Sequence, residues 1–284
     1  MDNLLNFVDK IPISQATEWL VKKFTITFSG LFSFIKEHGK EFLEGISKTL
    51  NMIPPIIIII LVAALAFFIT RKVFLPIFTV FGLWLIYNQE LWSLLMDTFT
   101  LVLIASLLSV IIGVPVGILM SKSKVAETII TPILDFMQTM PAFVYLIPTV
   151  AFFGIGMVPG VFASLIFATP PTVRFTNLGI RQVQKDLIEA SEAFGSTSMQ
   201  KLLKVELPLA RATIMAGINQ TVMLALSMVV TASMIGAPGL GKEVLRALQR
   251  SEVGPGFVSG LAIVILAIII DRITQNMSKD KKTA

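Results

Sequence analysis

Seven long apolar segments limit the folds open to this sequence more than any other feature. They cover about residues 53–69, 73–87, 99–120, 129–153, 161–173, 212–235 and 257–270. The hydrocarbon core of a bilayer is about 30 Å thick, which a helix of about 20 residues can cross. A helix also satisfies its backbone hydrogen bonds internally, as lipid requires. The segments therefore predict an all-α, polytopic transmembrane protein with seven spans.

The composition agrees with this interpretation and excludes several classes of function. Of the 284 residues, 55% are hydrophobic and only 14% are charged, whereas soluble domains carry about 25% charged residues. There is no cysteine, and His38 is the one histidine, which leaves no basis for thiolate chemistry, a histidine-ligated metal site or a Ser/His pair. No pair of carboxylates has a spacing that indicates catalysis. We therefore expect no catalytic residue, no metal and no cofactor.

Lysine and arginine residues indicate how the spans are oriented, because they accumulate in cytoplasmic loops. Segments 71–72, 122–124, 174–211 and 272–282 hold fourteen of them, and the opposite loops beyond residue 72 hold three. The 174–211 loop and the C-terminus are therefore predicted to be cytoplasmic, and seven spans then place the N-terminus outside. This placement explains the net charge of +5, so we expect a lipid bilayer rather than nucleic acid as a partner. The first residues lack a positive region before an apolar core, so we expect no cleavable signal peptide.

Residues 1–50 differ from the rest of the chain, because six lysines and six acidic residues surround a broken apolar pattern. From residue 20 onward the apolar residues recur mostly at steps of three or four, as on one helix face. This spacing predicts one or two amphipathic helices lying in the membrane interface. A soluble helix packed on a partner fits the pattern equally well. The alternating residues 24–28 offer a local strand as a weaker alternative.

Prolines divide two of the predicted spans. Pro141 and Pro148 predict a kinked or two-part helix over residues 129–153, and Pro170-Pro171 predicts a kink at the end of the next span. The glycine-rich residues 154–160 between them predict a tight turn.

The domain organisation follows from these segments. We expect an amphipathic segment over 1–50, two additional spans over 51–90, a five-span core over 91–277 that includes the 174–211 loop, and a cytoplasmic tail over 278–284.

The 174–211 loop contains a motif with a fixed spacing. It reads Glu189-Ala190-Ser191-Glu192-Ala193-Phe194-Gly195 and, nine residues after the glycine, Val205-Glu206-Leu207-Pro208. Small residues let a short helix lie close against another protein, and the glycine lets the backbone turn sharply at its end. Leu207-Pro208 is expected to stop the following segment and redirect the chain into the next span. An ordinary amphipathic loop between spans is the alternative.

This spacing closely resembles the EAA motif of ABC-importer permeases, which reads E-A-A, three residues, Gly, nine residues and I-x-L-P. Ser191 replaces the third small residue of that pattern, and Val205 replaces its isoleucine. In that family the motif forms a coupling helix that docks in a cleft of the ATP-hydrolysing subunit. The resemblance implies a role in ATPase coupling for Glu189, Ala190, Ser191, Glu192, Ala193, Gly195, Val205, Leu207 and Pro208.

Further segments resemble the glycine betaine/proline betaine branch of the same permease family, namely residues 137–148, 168–174, 176–183 and 232–241. The resemblance implies the type I ABC importer permease fold, with two spans and an amphipathic part before a five-span core. It implies a cell-membrane subunit that imports glycine betaine or a related compatible solute for osmoprotection. Its partners would be a second copy of the chain, two copies of an ATP-binding cassette ATPase and an extracytoplasmic solute-binding protein. The chain itself would then not be an enzyme.

Other assignments remain open at the level of sequence. An importer for choline, carnitine or an amino acid would carry the same motif. An autonomous channel or secondary transporter predicts inverted repeats, and none is evident. A non-transporting scaffold leaves the motif spacing unexplained.

Four residues outside the motif are candidates for the transport pathway. Asp135 lies in an apolar stretch, where ionisable residues often mark pathways, although a role in helix packing fits it equally. Gln220, Ser227 and Thr231 share one helix face at i, i+7 and i+11. They either line a water-filled path or hold helices together, and packing is the commoner role for such residues.

Gly236–Lys242 matches the first seven positions of a phosphate-binding loop, G-x-x-x-x-G-K. Glu243 follows where Ser or Thr should hold Mg²⁺, and no strand precedes the segment. We therefore interpret it as a glycine-rich turn between two spans.

Overall fold

The computed structural model describes residues 12–278, so the start of the chain and the tail after Ser278 lie outside the described residues. The signal-peptide prediction and most of the predicted tail fall in those parts. The described residues form thirteen α-helices, and there is no strand between residues 12 and 278. The helices are α1 (Ile13–Thr27), α2 (Ser29–Met52), α3 (Pro55–Thr70), α4 (Phe74–Asn88), α5 (Trp92–Lys122), α6 (Lys124–Thr139), α7 (Leu146–Phe153), α8 (Met157–Arg181), α9 (Lys185–Ala193), α10 (Ser198–Lys201), α11 (Leu207–Thr231), α12 (Leu240–Arg250) and α13 (Val253–Ser278).

The N-terminal amphipathic segment forms two helices, as the spacing of its apolar residues predicts. Phe24, Phe28 and Phe32 follow one another at helical spacing, and Phe24 and Phe32 contact Phe152 of α7 with ring centroids 5.7 and 4.9 Å apart. α1 continues to Thr27, so the alternative of a local strand over 24–28 is wrong. The alternation there is too short to compete with a helical pattern that continues on both sides.

α2 crosses one end of the helix bundle. It meets α3 at a bend of 97°, where Pro54 and Pro55 interrupt the chain. Ser47 of α2 hydrogen-bonds Asp97 near the start of α5, and Gly39 lies against Val158 at the start of α8. α3 and α4 pack on each other and on α13.

α5, α8 and α11 form the centre of the bundle, and small residues let them approach closely. A Cβ added to Gly117 of α5 would lie 2.6 Å from both the Thr176 Cβ and the Val173 carbonyl oxygen of α8. One turn earlier on α8, Thr172 lies against Gly113 of α5, and its hydroxyl hydrogen-bonds the Thr221 hydroxyl of α11 at 2.7 Å. Backbones that approach this closely gain van der Waals contact along their crossing.

The region 129–153 is a two-part helix, as its prolines predict. α6 and α7 are bent by 111° and are joined by the 3₁₀ turn Ala142–Tyr145. Ser123 caps the start of α6 by accepting a hydrogen bond from the Ala126 amide.

Both ends of α8 differ from the sequence prediction, and one helix was not predicted. α8 begins at Met157 and continues through Pro170-Pro171 to Arg181, whereas the turn was expected to last to Gly160 and the span to end at Val173. Packing between α5 and α11 keeps the helix intact there, because buried contacts outweigh the lost proline hydrogen bonds. The connection after Ile235 contains the helix α12, where the sequence predicts only a Gly/Pro-rich connection.

By length and hydropathy, Trp92–Lys122, Ser198–Ile235 and Val253–Met277 are each able to cross a membrane. The bent pairs α2–α3 and α6–α7 raise the number to five if each pair forms one span. The two other predicted spans correspond to α4 and α8. α4 has only 15 residues, and α8 is surrounded by other helices, so it needs a less apolar surface than a helix facing lipid.

Candidate coupling site

The motif residues from Glu189 to Ala193 lie on α9, at the end of the bundle where α5 and α8 terminate. None of the residues of α9 is buried by the described chain. A surface of small residues that its own chain leaves uncovered is suited to close contact with another protein.

Gly195 ends α9 with a left-handed backbone conformation. Its φ is +78°, the Gly195 amide donates to the Glu192 carbonyl at 2.9 Å, and the Ser196 amide donates to the Ser191 carbonyl at 3.1 Å. These two bonds form a Schellman motif, in which glycine is favoured because other residues are strained at positive φ. The glycine of the motif therefore has a backbone reason to be there.

Phe194 is the residue of this site that the motif does not reveal. It precedes the glycine, and 91% of its surface is exposed. Other large apolar residues are also exposed nearby, namely Leu187, Met199 and Leu203. Buried aromatic anchors dominate many protein interfaces, so Phe194 is a candidate anchor for a partner. The sequence feature that could have revealed Phe194 is the presence of an aromatic residue in a polar loop.

The segment after α9 is held in place by local interactions. Thr197 caps α10 in a capping box with Gln200, through bonds of 2.9 and 3.3 Å. Lys201 of α10 forms an ion pair with Glu192 of α9. Together these contacts fix α10 against the motif helix.

Leu207 and Pro208 do not stop the segment, contrary to expectation, and Val205 lies within a helical turn before them. Residues Leu202–Glu206 form a π turn that leads directly from α10 into α11, and Pro208 lies in the first turn of α11. Proline is tolerated there because the first amides of a helix lack intrahelical partners. The chain is redirected by a change in helix type, not by a break.

Ion pairs link the ends of the long helices around this loop. Lys122 at the end of α5 pairs with Glu206, whose side chain is 4% exposed. Arg181 at the end of α8 pairs with Glu127 of α6 at 2.7 Å and donates to the Met120 carbonyl of α5 at 3.1 Å. Local sequence patterns do not indicate these partners, because they lie 54 to 84 residues apart along the chain.

Asp135 also takes part in an ion pair. Its carboxylate lies 2.5 Å from the Arg174 guanidinium of α8, and its side chain is 58% exposed. The pair joins α6 to α8, which fits the helix-packing alternative for Asp135. A pathway role stays a prediction.

The face of α11 that carries Gln220, Ser227 and Thr231 is left largely uncovered by the described chain. Gln220 and Ser227 are exposed and Thr231 is half-buried. The hydroxyls of Ser227 and Thr231 donate to carbonyls one turn earlier in α11, each at 3.1 Å. These side chains therefore do not join α11 to another described helix, and their pathway role also stays a prediction.

The core of the chain, which includes the motif, matches a known protein family. Residues 109–283 match the family described as "Binding-protein-dependent transport system inner membrane component". The chain belongs to this family of ABC-importer permeases. It is a multi-pass membrane protein, and its membership implies an ATPase partner and a substrate-binding protein.

Two relatives resemble this permease over nearly its whole length. The "Glycine betaine/carnitine transport permease protein GbuB" of Listeria monocytogenes is 54% identical over 279 residues, which cover 97% of this chain and 99% of the relative. The "Glycine betaine transport system permease protein OpuAB" of Bacillus subtilis is 52% identical over 274 residues, which cover 96% and 97%.

The fold of the permease matches a solved importer. The MetNI methionine ABC transporter in an inward-facing conformation aligns with a TM-score of 0.60 at 22% identity, over 64% of this chain and 91% of that one. This likeness confirms the type I permease fold predicted from the motif.

The glycine-rich segment of the permease is not a phosphate-binding loop. The Leu240 amide at the start of α12 donates to the Thr98 hydroxyl at 2.8 Å. A Cβ on Gly239 would lie 2.4 Å from the same hydroxyl oxygen, so α5 occupies the space that a phosphate would need. The segment is a close packing contact between α12 and α5.

Lys242→Ala is accordingly expected to leave ATP binding and hydrolysis by the assembled transporter within about twofold of wild type, because surface substitutions usually have small effects. The measurement is steady-state hydrolysis by the purified complex. Hydrolysis by the isolated permease, lost on this substitution, would contradict our interpretation.

Proposed function

We propose that this chain is the membrane-spanning permease of an ATP-driven importer for glycine betaine or a related compatible solute. The observation that carries the proposal is the identity of 54% and 52%, over nearly the whole chain, to permeases named for glycine betaine. The Listeria relative is also named for carnitine, which makes carnitine the second candidate solute.

ATP hydrolysis belongs to a separate subunit in this proposal. The uncovered surface of α9, the Schellman turn at Gly195 and the exposed ring of Phe194 support docking of an ATPase at this loop. An exposed aromatic ring beside a rigid turn loses little conformational entropy on binding, which favours its use as an anchor.

A second copy of the permease completes the pathway. The uncovered face of α11 supports this step, because α11 is central in the bundle and yet Gln220 and Ser227 remain exposed. Two copies facing each other would enclose a polar path between them, and each would engage one ATPase subunit. The solute-binding protein then delivers solute from outside.

The 174–211 loop, which we call the coupling loop, faces the cytoplasm. The N-terminal helices α1 and α2 lie outside. The distribution of basic residues supports the first assignment. The contacts of α2 support the second, because Ser47 and Gly39 touch α5 and α8 at the ends opposite the coupling loop. The near-perpendicular bend between α2 and α3 also suits a helix lying in the membrane interface.

Single cysteines test this orientation on a background without native cysteine. A cysteine replacing Ser198, in α10, is expected to react with an impermeant maleimide only when the cytoplasmic side is opened. A cysteine replacing Ser251, after α12, is expected to react in intact cells. Both positions are exposed in the described chain. Labelling of both from one side would contradict the orientation.

Co-purification tests the assembly. A tagged copy of the permease, extracted in mild detergent from its source cell, is expected to carry an ATP-binding cassette subunit at one copy per permease. A differently tagged second copy should be recovered with it. Recovery of the permease alone, under conditions that keep a known importer intact, would contradict the assembly.

A further inference from the structure

The carboxylate of Glu206 is unusual among the described residues because it is charged and buried. The residue is 3% exposed, and no other Asp, Glu, Lys or Arg of residues 12–278 falls in the buried class. A buried carboxylate is costly unless it is paired and hydrogen-bonded. Replacement of a buried ion pair by apolar residues is often neutral or stabilising. Stability alone therefore does not account for an acid at this position.

The partner of Glu206 is Lys122, the last residue of α5. The Lys122 ammonium and the Glu206 carboxylate form an ion pair across 84 positions of sequence. Both elements also pack against one apolar cluster formed by Ile180, Ala210 and Ile214, because Ile118 of α5 and Leu202 of the π turn each contact it. The end of α5 and the base of the coupling loop are thus joined by a charge pair and by packing together.

The π turn determines where Glu206 points. Over residues Leu202–Glu206 the Leu207 amide bonds to the Leu202 carbonyl, one residue further back than in an α-helix. Each residue of an α-helix turns by about 100°, so the additional residue rotates the side chains that follow relative to those of α10. π turns are rare and occur often at functional sites. Here the turn brings the carboxylate to α5.

A second ion pair continues the connection to the motif helix. Glu192 of α9 pairs with Lys201 of α10, and α10 runs without a break into the π turn. Two ion pairs therefore join α9 to α10 and the π turn to α5. α5 in turn packs along α8 through Gly117.

We propose that the Lys122–Glu206 pair is a positioning contact that makes the coupling loop and α5 move as one body. This inference rests on the proposed function, because it concerns how movement of a docked ATPase subunit reaches the transport pathway. Glu206 and Lys122 touch neither solute nor ATP. Their role is to prevent the loop from moving independently of the bundle.

The test measures solute uptake and ATP hydrolysis together in liposomes that contain the whole transporter. Glu206→Gln preserves the size of the side chain and removes its charge. Only the Glu206 end of the pair is buried, since the Lys122 side chain is 39% exposed. We expect the number of solute molecules imported per ATP to fall about tenfold, as loss of a charge-assisted hydrogen bond can produce, while hydrolysis continues. Lys124→Gln is the matched control, since Lys124 is an exposed lysine two residues from Lys122, and it should leave the ratio unchanged.

Reversal of the pair separates a coupling role from a structural one. Lys122→Glu combined with Glu206→Lys is expected to restore most of the ratio that either single substitution loses. If Glu206→Gln lowers uptake and hydrolysis equally, in proportion to the amount of assembled complex, the pair is only structural and the inference is wrong. If the wild-type complex shows no ATP-dependent uptake, the proposed function itself fails.

Discussion

Gly195→Val is expected to reduce solute uptake by about tenfold or more. Gly195 has a φ of +78°, and the left-handed conformation costs a residue with a Cβ about 1–2 kcal/mol, with a larger cost for a β-branched side chain. Because about 1.4 kcal/mol corresponds to a tenfold change in an equilibrium, the strain is enough to weaken docking of an ATPase subunit. Apart from Gly195 and its two chain neighbours, no atom of the described chain lies within 4 Å of a Cβ built at this position. The effect within the chain is therefore on the backbone and not on packing.

Gly195→Asn provides the matched control. Asparagine adopts the left-handed conformation more readily than other residues with a side chain, so it should retain most of the uptake although it adds a larger group than alanine. The measurements are uptake in liposomes and recovery of the ATPase with the permease. Wild-type uptake by Gly195→Val, with normal recovery of the ATPase, would show that this loop does not couple hydrolysis to transport.

Gly117→Ala is expected to destabilise the permease by about 1–3 kcal/mol, the usual cost of overpacking. The added methyl group would lie 2.6 Å from the Thr176 Cβ and the Val173 carbonyl oxygen. The carbonyl belongs to the backbone and cannot move aside without shifting α8 relative to α5. Thermal unfolding in detergent measures the loss, and the melting temperature should fall by several degrees.

Gly260→Ala is the control for this substitution. Gly260 also lies inside a long apolar helix, α13, but nothing lies within 4 Å of a Cβ built there. Alanine should be neutral or stabilise the helix by up to about 1 kcal/mol. Equal melting temperatures for Gly117→Ala and Gly260→Ala would show that the close crossing of α5 and α8 does not limit stability.

Apolar segments and helical spacing locate most of the helices, but they miss α12 and several helix ends. The predicted span over 161–173 stops just before Arg174. In the structure this arginine lies inside α8 and pairs with Asp135 of α6. α12 was missed for a different reason. The glycines and prolines around it indicate a loop, although Leu240, Val244 and Leu248 recur at helical spacing. A long-range partner decides the case of Arg174, whereas the spacing of apolar residues in α12 is present in the local sequence.

The motif spacing identified the loop, and the structure added the residues between the fixed positions. Phe194 and Glu206 both stand inside the motif, yet the pattern assigns no letter to either. The exposure of Phe194 and the burial of Glu206 follow from the Schellman turn and the π turn. The ion pair between Glu206 and Lys122 depends on how the end of α5 meets the start of α11, which only the tertiary fold shows. The conformation of Gly195, by contrast, was predictable from its residue type at a helix end.

Transport by the reconstituted complex tests directly whether this chain is the permease of an ATP-driven glycine betaine importer. The permease is placed in liposomes with its ATPase subunit, ATP inside and solute-binding protein outside, and the entry of radiolabelled glycine betaine is followed. We expect accumulation above the outside concentration that requires ATP, both partners and an intact Gly195. Entry of betaine through the permease alone, without ATP or partners, would contradict the proposed function and indicate a channel or secondary transporter.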